Sequence, residues 1–541
     1  MGLDQLQQIE VKNCALIEEI ITKDKGKKTA IDKVFIPHLE SVVLELLPNL
    51  ANFYSGTNNL ECPSLKSIAI ANCSQMGMFV FADLKENDHS EHTPPLFSEK
   101  VAFPSLEEMV LLHMDNLQLI WQSQKLHVES FHKLKVLRIE SCEKLLTIVP
   151  SNTQGNLTFR YLERFTVNDC GSLKSLFPVS TAVSLLQLEH LWISFCGLEK
   201  IVSEEEVDRA PTFLFPKLAY IRLVNLQELK CFYPQLHTIE WPMLRNLGVY
   251  KCKKIKVYGS EFPSSRARDG ERQPALFLLE KVMPNLEWLG LDAHDFALTF
   301  LHCNLSEIFG KIKMLFLGNF DDESVASVFD FLQKLNCLEK LSFIDNSCKK
   351  LFPYEQGHIW KQGFRGDTFL QNLQTLQVHR CHCLTILMPS GMSFKNLKTL
   401  EATICDGLDK VLTFEAAKAL INLTTLTIRD CKLVTEIIAN EGDREEEIVF
   451  GHLNVLELYC LSNLTFFCSA NYSFKFPCLE QVIVYQCPRF NIFSRGVLST
   501  PLLKKVQLIK GDNDQEHFWK KDLNSTIQQI FRNMVLFNSK R

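Results

Sequence analysis

A nine-residue unit governs what this chain can fold into. Leu134-x-x-Leu137-x-Ile139-x-x-Cys142 returns as Leu162-Phe165-Val167-Cys170, Leu188-Leu191-Ile193-Cys196, Leu244-Leu247-Val249-Cys252, Leu373-Leu376-Val378-Cys381, Leu423-Leu426-Ile428-Cys431 and Leu479-Val482-Val484-Cys487. With looser copies counted, the unit starts at residues 6, 39, 65, 106, 134, 162, 188, 218, 244, 286, 312, 338, 373, 397, 423, 453, 479 and 503, which makes eighteen repeats. Of the seventeen intervals, seven are 26 residues and six are 24, 28 or 30, so the period is a structural constant interrupted by insertions.

The fourth and sixth places of the unit are two residues apart, which on a strand puts both on one face and the third, fifth and seventh places on the other. A single such strand buries nothing; stacking each repeat on its neighbours gives a parallel sheet backed by a continuous apolar core. The expected fold is therefore an α/β repeat solenoid. It is a leucine-rich-repeat horseshoe with a concave parallel β-sheet, an irregular or short helical convex side and a C-terminal helical cap. Composition agrees: 541 residues, 46% hydrophobic and 22% charged, too apolar for a disordered chain. A solenoid grows in one dimension, so its length does not call for several globular domains.

One break is legible. The interval from Leu244 to Leu286 is 42 residues and contains Pro263-Ser264-Ser265-Arg266-Ala267-Arg268-Asp269-Gly270. The expected organisation is a first repeat block at 1–258, a polar insertion or linker at 259–283, a second block at 284–511 and a cap at 512–541. Leu523, Ile527, Ile530, Phe531 and Met534 recur near helical spacing, with Trp519 one turn earlier, which predicts a helix covering the last strand.

Charge and targeting signals exclude several roles. A formal net charge of -5 favours neither nucleic acid nor an anionic membrane, and no apolar run approaches the roughly 18 residues of a membrane span. Met1-Gly2-Leu3-Asp4-Gln5-Leu6 is no signal peptide, and Leu6 stands where a myristoylation signal needs Ser or Thr. The first repeat is already under way at Leu6 without a polar cap, so the reading expects a longer arrangement upstream.

Ten of the nineteen cysteines (Cys14, Cys73, Cys142, Cys170, Cys196, Cys252, Cys381, Cys405, Cys431 and Cys487) hold the ninth place. Leu47, Met114, Leu226, Phe320 and Leu461 share that column, with His294, Asn346 and Gly511 as exceptions, so it is a buried column. Its thiols act as small hydrophobes and weak donors, which with the odd total fits a reducing cytoplasm. His379-Arg380-Cys381-His382-Cys383 invites a zinc reading, but alternate strand residues face opposite ways and Cys381 belongs to the column. His89-Ser90-Glu91-His92 reads as a solvated loop, and the sequons at Asn156 and Asn422 overlap repeat leucines. Gly26-Lys27-Lys28-Thr29 lacks the first glycine of a phosphate loop, where Ile21 stands. Hydrolase-elbow, zinc-protease, kinase and dinucleotide signatures are missing. The expectation is a non-enzyme with no metal and no cofactor.

Between strands, Phe103-Pro104-Ser105-Leu106, Phe215-Pro216-Lys217-Leu218, Trp241-Pro242-Met243-Leu244 and Phe476-Pro477-Cys478-Leu479 bring an aromatic and a proline to the repeat start, predicting an extended approach. Acidic runs precede some entries, as in Ser203-Glu204-Glu205-Glu206 and Asp443-Arg444-Glu445-Glu446-Glu447. This set, with the Leu-x-x-Ile that follows Cys142, the passage from Leu456 to Leu479 and the tail from Phe518 to Ile527, resembles the repeat region of plant coiled-coil nucleotide-binding leucine-rich-repeat disease resistance proteins. The resemblance implies an innate-immunity module that binds a pathogen effector or an effector-modified host protein and regulates a nucleotide-binding switch in cis or in trans. That family's coiled coil and phosphate loop have no counterpart here, so nucleotide exchange is not assigned to this chain, which looks like a truncated product, a repeat-only relative or a partial gene. The alternative is the repeat region of an F-box ubiquitin-ligase substrate receptor, which also uses a 26-residue period and a ninth-place cysteine. Its Ile-Thr-Asp continuation is replaced here by Glu143-Lys144-Leu145, Gly171-Ser172-Leu173 and His382-Cys383-Leu384.

The candidate protein-binding residues are the large or cationic ones at places three, five and seven: Trp192, Arg222, Tyr250, Trp288, Phe316, His379, Arg429, Tyr459 and Tyr485. The middle of the array, around Trp192, Tyr250, Trp288 and Phe316, is favoured.

Overall fold

The computed structural model describes every residue except 1–3, 23–32, 57, 82–93, 122–129, 150–157, 206–208, 260–274, 279–284, 293–308, 353–368, 392–393, 443–445, 510–514 and 539–541. Outside the described residues lie Gly26 to Thr29, His89 to His92, Asn156, Glu206, most of the insertion expected at 259–283, His294, Gly511 and the first three residues of the second acidic run. The chain forms two compact units, Met1–Leu286 and Glu287–Arg541.

Each unit is built on one parallel sheet. In the first, nine strands from Gln8–Lys12 to Asn246–Tyr250 stand side by side in chain order, and in the second, nine more from Trp288–Asp292 to Val506–Ile509 do the same. Seventeen of the eighteen begin at the third place of a repeat and the last at the fourth, so the frame read from leucine spacing holds strand by strand. Pairing is in repeat register: Trp192 stands beside Arg222, and Arg429 beside Tyr459. The alternation is visible in Val136–Glu140, where Leu137 and Ile139 are buried and Arg138 is exposed.

Two turns recur in most of the described repeats. The first follows the ninth place: the Leu145 N–H donates to the Cys142 carbonyl, and the Leu384 N–H to that of Cys381. The second is the aromatic entry, in which the Leu106, Leu218, Leu244 and Leu479 N–H groups donate to the carbonyls of Phe103, Phe215, Trp241 and Phe476. The proline of those entries sits inside this turn, just after the residue that accepts, where its fixed φ suits the bend. The extended approach expected from it is corrected to a tight turn. Phe131, Phe159, Phe394 and Phe450 make the same turn without proline.

The eighth place carries a backbone feature that the leucine pattern hides. Sixteen non-glycine residues there, from Asn13 to Gln486, have φ between 48° and 56°. The left-handed twist turns each N–H toward the next repeat, as when Asp169 N–H donates to Ser194 carbonyl and Asp430 N–H to Tyr459 carbonyl. At the ninth place the thiol donates back: Cys487 Sγ lies 3.3 Å from the Tyr485 carbonyl and 3.6 Å from that of Leu458 in the preceding repeat. Asn346 fills the same role in its repeat, donating to the Leu317 carbonyl and accepting from the Phe320 N–H at 2.7 Å. Eighteen cysteines are described and no disulfide forms among them; Cys303 lies outside the described residues. Burial pushes the thiols of Cys62, Cys348, Cys468 and Cys487 up to about 12.

Behind the strands runs an aromatic spine. In the first unit Phe53 stacks on Phe79 at 4.4 Å, and the contacts continue through Phe97, Phe131 and Trp121 to Phe159. In the second, Phe467 stacks on Phe493 at 4.4 Å and Phe450 on Phe476 at 5.3 Å. Each such side chain, fully buried, contributes roughly 1.5–3 kcal/mol, so the core is strengthened repeat by repeat. The return segments include short helices at Val179–Ala182, Val325–Leu332 and Phe414–Ala419. Elsewhere they are short parallel strands, such as Ile386–Met388, Lys410–Leu412, Glu436–Ile438, Phe466–Cys468 and Ile492–Ser494 in one five-stranded sheet. No helix among the described residues is long and apolar enough to cross a membrane.

The C-terminal helix Leu523–Asn538 buries Leu523, Ile527 and Ile530, with Phe531 half-buried and Trp519 39% exposed. It is capped by Asp522, whose carboxylate accepts the Ser525 N–H at 2.8 Å. The strand it was expected to cover, Val506–Ile509, is instead flanked by an antiparallel strand, Gln515–Phe518. The helix packs on the return strand Ile492–Ser494, where the Asn524 side chain accepts from the Phe493 and Ser494 N–H groups and donates to the Ser494 carbonyl. An amide side chain supplies there the hydrogen bonds a further strand would have made.

Candidate functional site

The outward strand face is where side chains are held in position and left accessible. Trp192 is 43% exposed while its strand neighbours Leu191 and Ile193 are 6% and 0% exposed. All nine nominated residues, Trp192, Arg222, Tyr250, Trp288, Phe316, His379, Arg429, Tyr459 and Tyr485, lie on this face and none is buried. Seven of them form three local groups, two of which are in the second unit, while Tyr250 and His379 stand apart.

In the first unit the Arg222 guanidinium lies over the Trp192 indole, 5.5 Å from the ring centroid, and donates from Nη1 to the Tyr220 hydroxyl at 3.4 Å. His190 and Tyr220 face each other at 5.6 Å two places earlier in the same strands. Ser194 donates to Asn168 at 2.7 Å two places later. On the far side of Arg222 its pairing partner is Gly248, which has no side chain to shield it. The Arg222 Nε is covered and has no hydrogen-bond partner among the described residues. Tyr250 stands two places after Gly248 on the ninth strand of the main sheet, paired with Val224.

The second unit carries Trp288 and Phe316 in contact at 4.9 Å, beside the exposed Met314 and with Lys340 5.5 Å over the Phe316 ring. Further along, Arg429 lies 4.1 Å over Tyr459, which meets Tyr485 at 6.0 Å. Gln486 donates to the Tyr485 hydroxyl at 3.0 Å. His379 shares the seventh-place row with Arg429 but is separated from it by Thr403. Along the fifth-place row Ser342 donates to Gln377, Gln377 to Glu401 at 2.7 Å, and Thr427 to Glu457 at 3.1 Å.

Sequence reasoning did not single out His190, Tyr220 or this polar row. They occupy the same third and fifth places, so the signal was present, but their value comes from cross-strand neighbours about one repeat away. The zinc reading is weakened by geometry: His379 is on the outward face, Cys381 is buried and Cys383 is exposed. His382 lies 3.5 Å from Asp406, and Arg380 pairs with Asp345. A shallow groove of about 460 Å³ lies away from the nominated residues, along the turns after the first four strands, lined by residues such as Asn13, Asn72, His113 and Asp115.

Residues 78–154, 147–197 and 390–508 match the family model of plant disease resistance protein RPS2-like leucine-rich repeats, so both units contain matched repeats. A stretch of 134 residues, 24% of this chain, is 31% identical to a probable disease resistance protein of Arabidopsis thaliana. That stretch accounts for 14% of the relative's length. The fold is a leucine-rich-repeat solenoid, and the matched repeats are similar to those of plant disease resistance proteins.

Proposed function

We propose that the chain is a cytoplasmic recognition module of plant innate immunity. It binds a pathogen effector, or a host protein altered by one, through its outward strand faces, and regulates a nucleotide-binding switch in cis or in trans. The observation that carries this is Trp192, a large aromatic held 43% exposed at the centre of a strand, with Arg222 laid across it. An indole kept in water costs solvation that folding alone has no reason to retain, and Trp and Arg are the residues on which interfaces concentrate their energy. The assignment to defence rests on the repeat type; the assignment of the outward face rests on this geometry. The module performs no catalysis of its own.

The test is capture of partners from challenged leaf tissue with the wild-type chain, Trp192→Asp and Tyr459→Asp. The proposal expects at least one partner to be lost from a variant whose melting temperature is unchanged. Retention of every partner by both variants would sink it. Calorimetry with ATP is expected to find no binding, since the chain lacks a phosphate cradle.

A further inference from the structure

Resting on that reading, the chemistry of one partner follows from an imbalance of charge. The four strands from Arg164–Asn168 to Asn246–Tyr250 present two arginines, Arg164 and Arg222, and one histidine, His190, at their outward places, and no acidic residue. Glu163 and Glu189 stand on the rim, one residue before their strands. Neither arginine forms an ion pair among the described residues, whereas Arg138 on the preceding strand is paired with Glu140 at 2.7 Å. In a chain of net charge -5, these outward places carry cations and no anion, with Asp169 also confined to the rim, one residue after the strand Arg164–Asn168.

Arg222 is moreover pre-positioned. Trp192 holds its flat side, the Tyr220 hydroxyl holds one terminal nitrogen, and Gly248 leaves the opposite flank without a side chain. Its Nε–H is removed from water and has no acceptor among the described residues. Guanidinium stacking of this kind lowers the entropy lost on pairing and presents planar donors suited to a carboxylate.

We propose that this surface takes an acidic segment of a partner protein. An Asp or Glu carboxylate pairs with Arg222, and an adjacent aromatic or apolar side chain rests on Trp192. A nucleic-acid backbone is disfavoured, because its affinity grows with the number of phosphates neutralised and only two arginines are offered here.

The probe is a fluorescein-labelled copolymer of Glu and Tyr, read by anisotropy against the full chain, with a Gln and Tyr copolymer as its uncharged match. The expected result is binding that weakens as salt is raised, and at least about tenfold weaker binding of the uncharged polymer. Arg222→Gln should lose about tenfold, Arg222→Lys less, and Arg489→Gln, in the turn after the strand Gln481–Tyr485 and outside the nominated face, nothing. Melting curves of each variant separate lost binding from lost folding. Equal binding by wild type and Arg222→Gln would overturn the proposal, as would displacement of the copolymer by a thymidine oligonucleotide at lower concentration. If the copolymer fails while Trp192→Asp still loses its leaf partner, the acidic ligand is wrong and the recognition face stands. If the copolymer fails and neither Trp192→Asp nor Tyr459→Asp loses a leaf partner, the recognition reading falls with it.

Discussion

The outward faces of the two units share one geometry and differ in how far they satisfy themselves. In the second unit Ser342, Gln377 and Glu401 form a chain of hydrogen bonds along one row, Thr427 and Glu457 another, and Arg429 sits 4.1 Å over Tyr459. In the first unit Arg222 stacks more loosely, at 5.5 Å, and among the described residues it has no carboxylate partner and no acceptor for its Nε. A row whose polar groups already bond one another gains little when a partner arrives, because each new bond replaces an old one. An arginine that is stacked but electrostatically unanswered has its pairing still to make. Exposure alone therefore ranks these surfaces poorly; the unsatisfied capacity of each group ranks them better.

The comparison presupposes that the strand frame is right, and its largest test is a pair of substitutions in one repeat. Cys196→Asp puts a charge at a position 5% exposed, between the Ser194 and Val167 carbonyls, and should cost about 3 kcal/mol or more. Trp192→Asp should leave stability within roughly 1 kcal/mol. Circular dichroism melts decide it: equal losses would mean that Trp192 is part of the core and that the outward face has been assigned to the wrong side.

The second test asks whether the second unit's self-satisfaction extends inward. Asn346 stands in the cysteine column and bridges two repeats through the Phe320 N–H and the Leu317 carbonyl. Asn346→Leu strands a buried N–H and should cost about 1–3 kcal/mol. Asn346→Cys restores the weak donor found elsewhere in the column and should cost less. If Leu is tolerated as well as Cys in chemical denaturation, the column is held by apolar packing alone.

Much of this was legible in the chain. The places of all eighteen strands follow from apolar residues two apart, because a parallel strand in a solenoid has one buried face and the alternation records it. The return strands did not show, since their lengths vary and their apolar runs fit a strand or a short helix equally well. The left-handed eighth place was visible only as an excess of Asn and Asp, at Asn13, Asn72, Asp169, Asn225, Asn319, Asp345 and Asp430, and was obscured by Leu46, Phe195 and Ile404 in the same place. The antiparallel strand Gln515–Phe518 is four residues of mixed polarity with no alternation to read. At the surface, alternation gave the direction of Trp192 and Arg222. It could not give their contact, because Leu188 and Leu218 are 30 residues apart and the pairing depends on where the intervening insertion is absorbed.

The smallest effect is the sharpest, because the two units should differ in sign. Arg429→Met removes a cation held 4.1 Å over Tyr459, a contact worth about 0.5–1 kcal/mol at such a site, and should lower the melting temperature slightly. Arg222→Met keeps an unbranched stem against the Trp192 indole, gains a sulfur–aromatic contact and deletes an Nε–H that is desolvated without a partner. Losing the weaker 5.5 Å stack is offset by removing that penalty, so the variant should be as stable as the wild type or slightly more so. The two melts, run in one buffer, read the difference directly. A loss for Arg222→Met as large as that for Arg429→Met would show that Arg222 props its own strands. In that event its cationic edge needs no partner to explain it, and the two outward faces are alike after all.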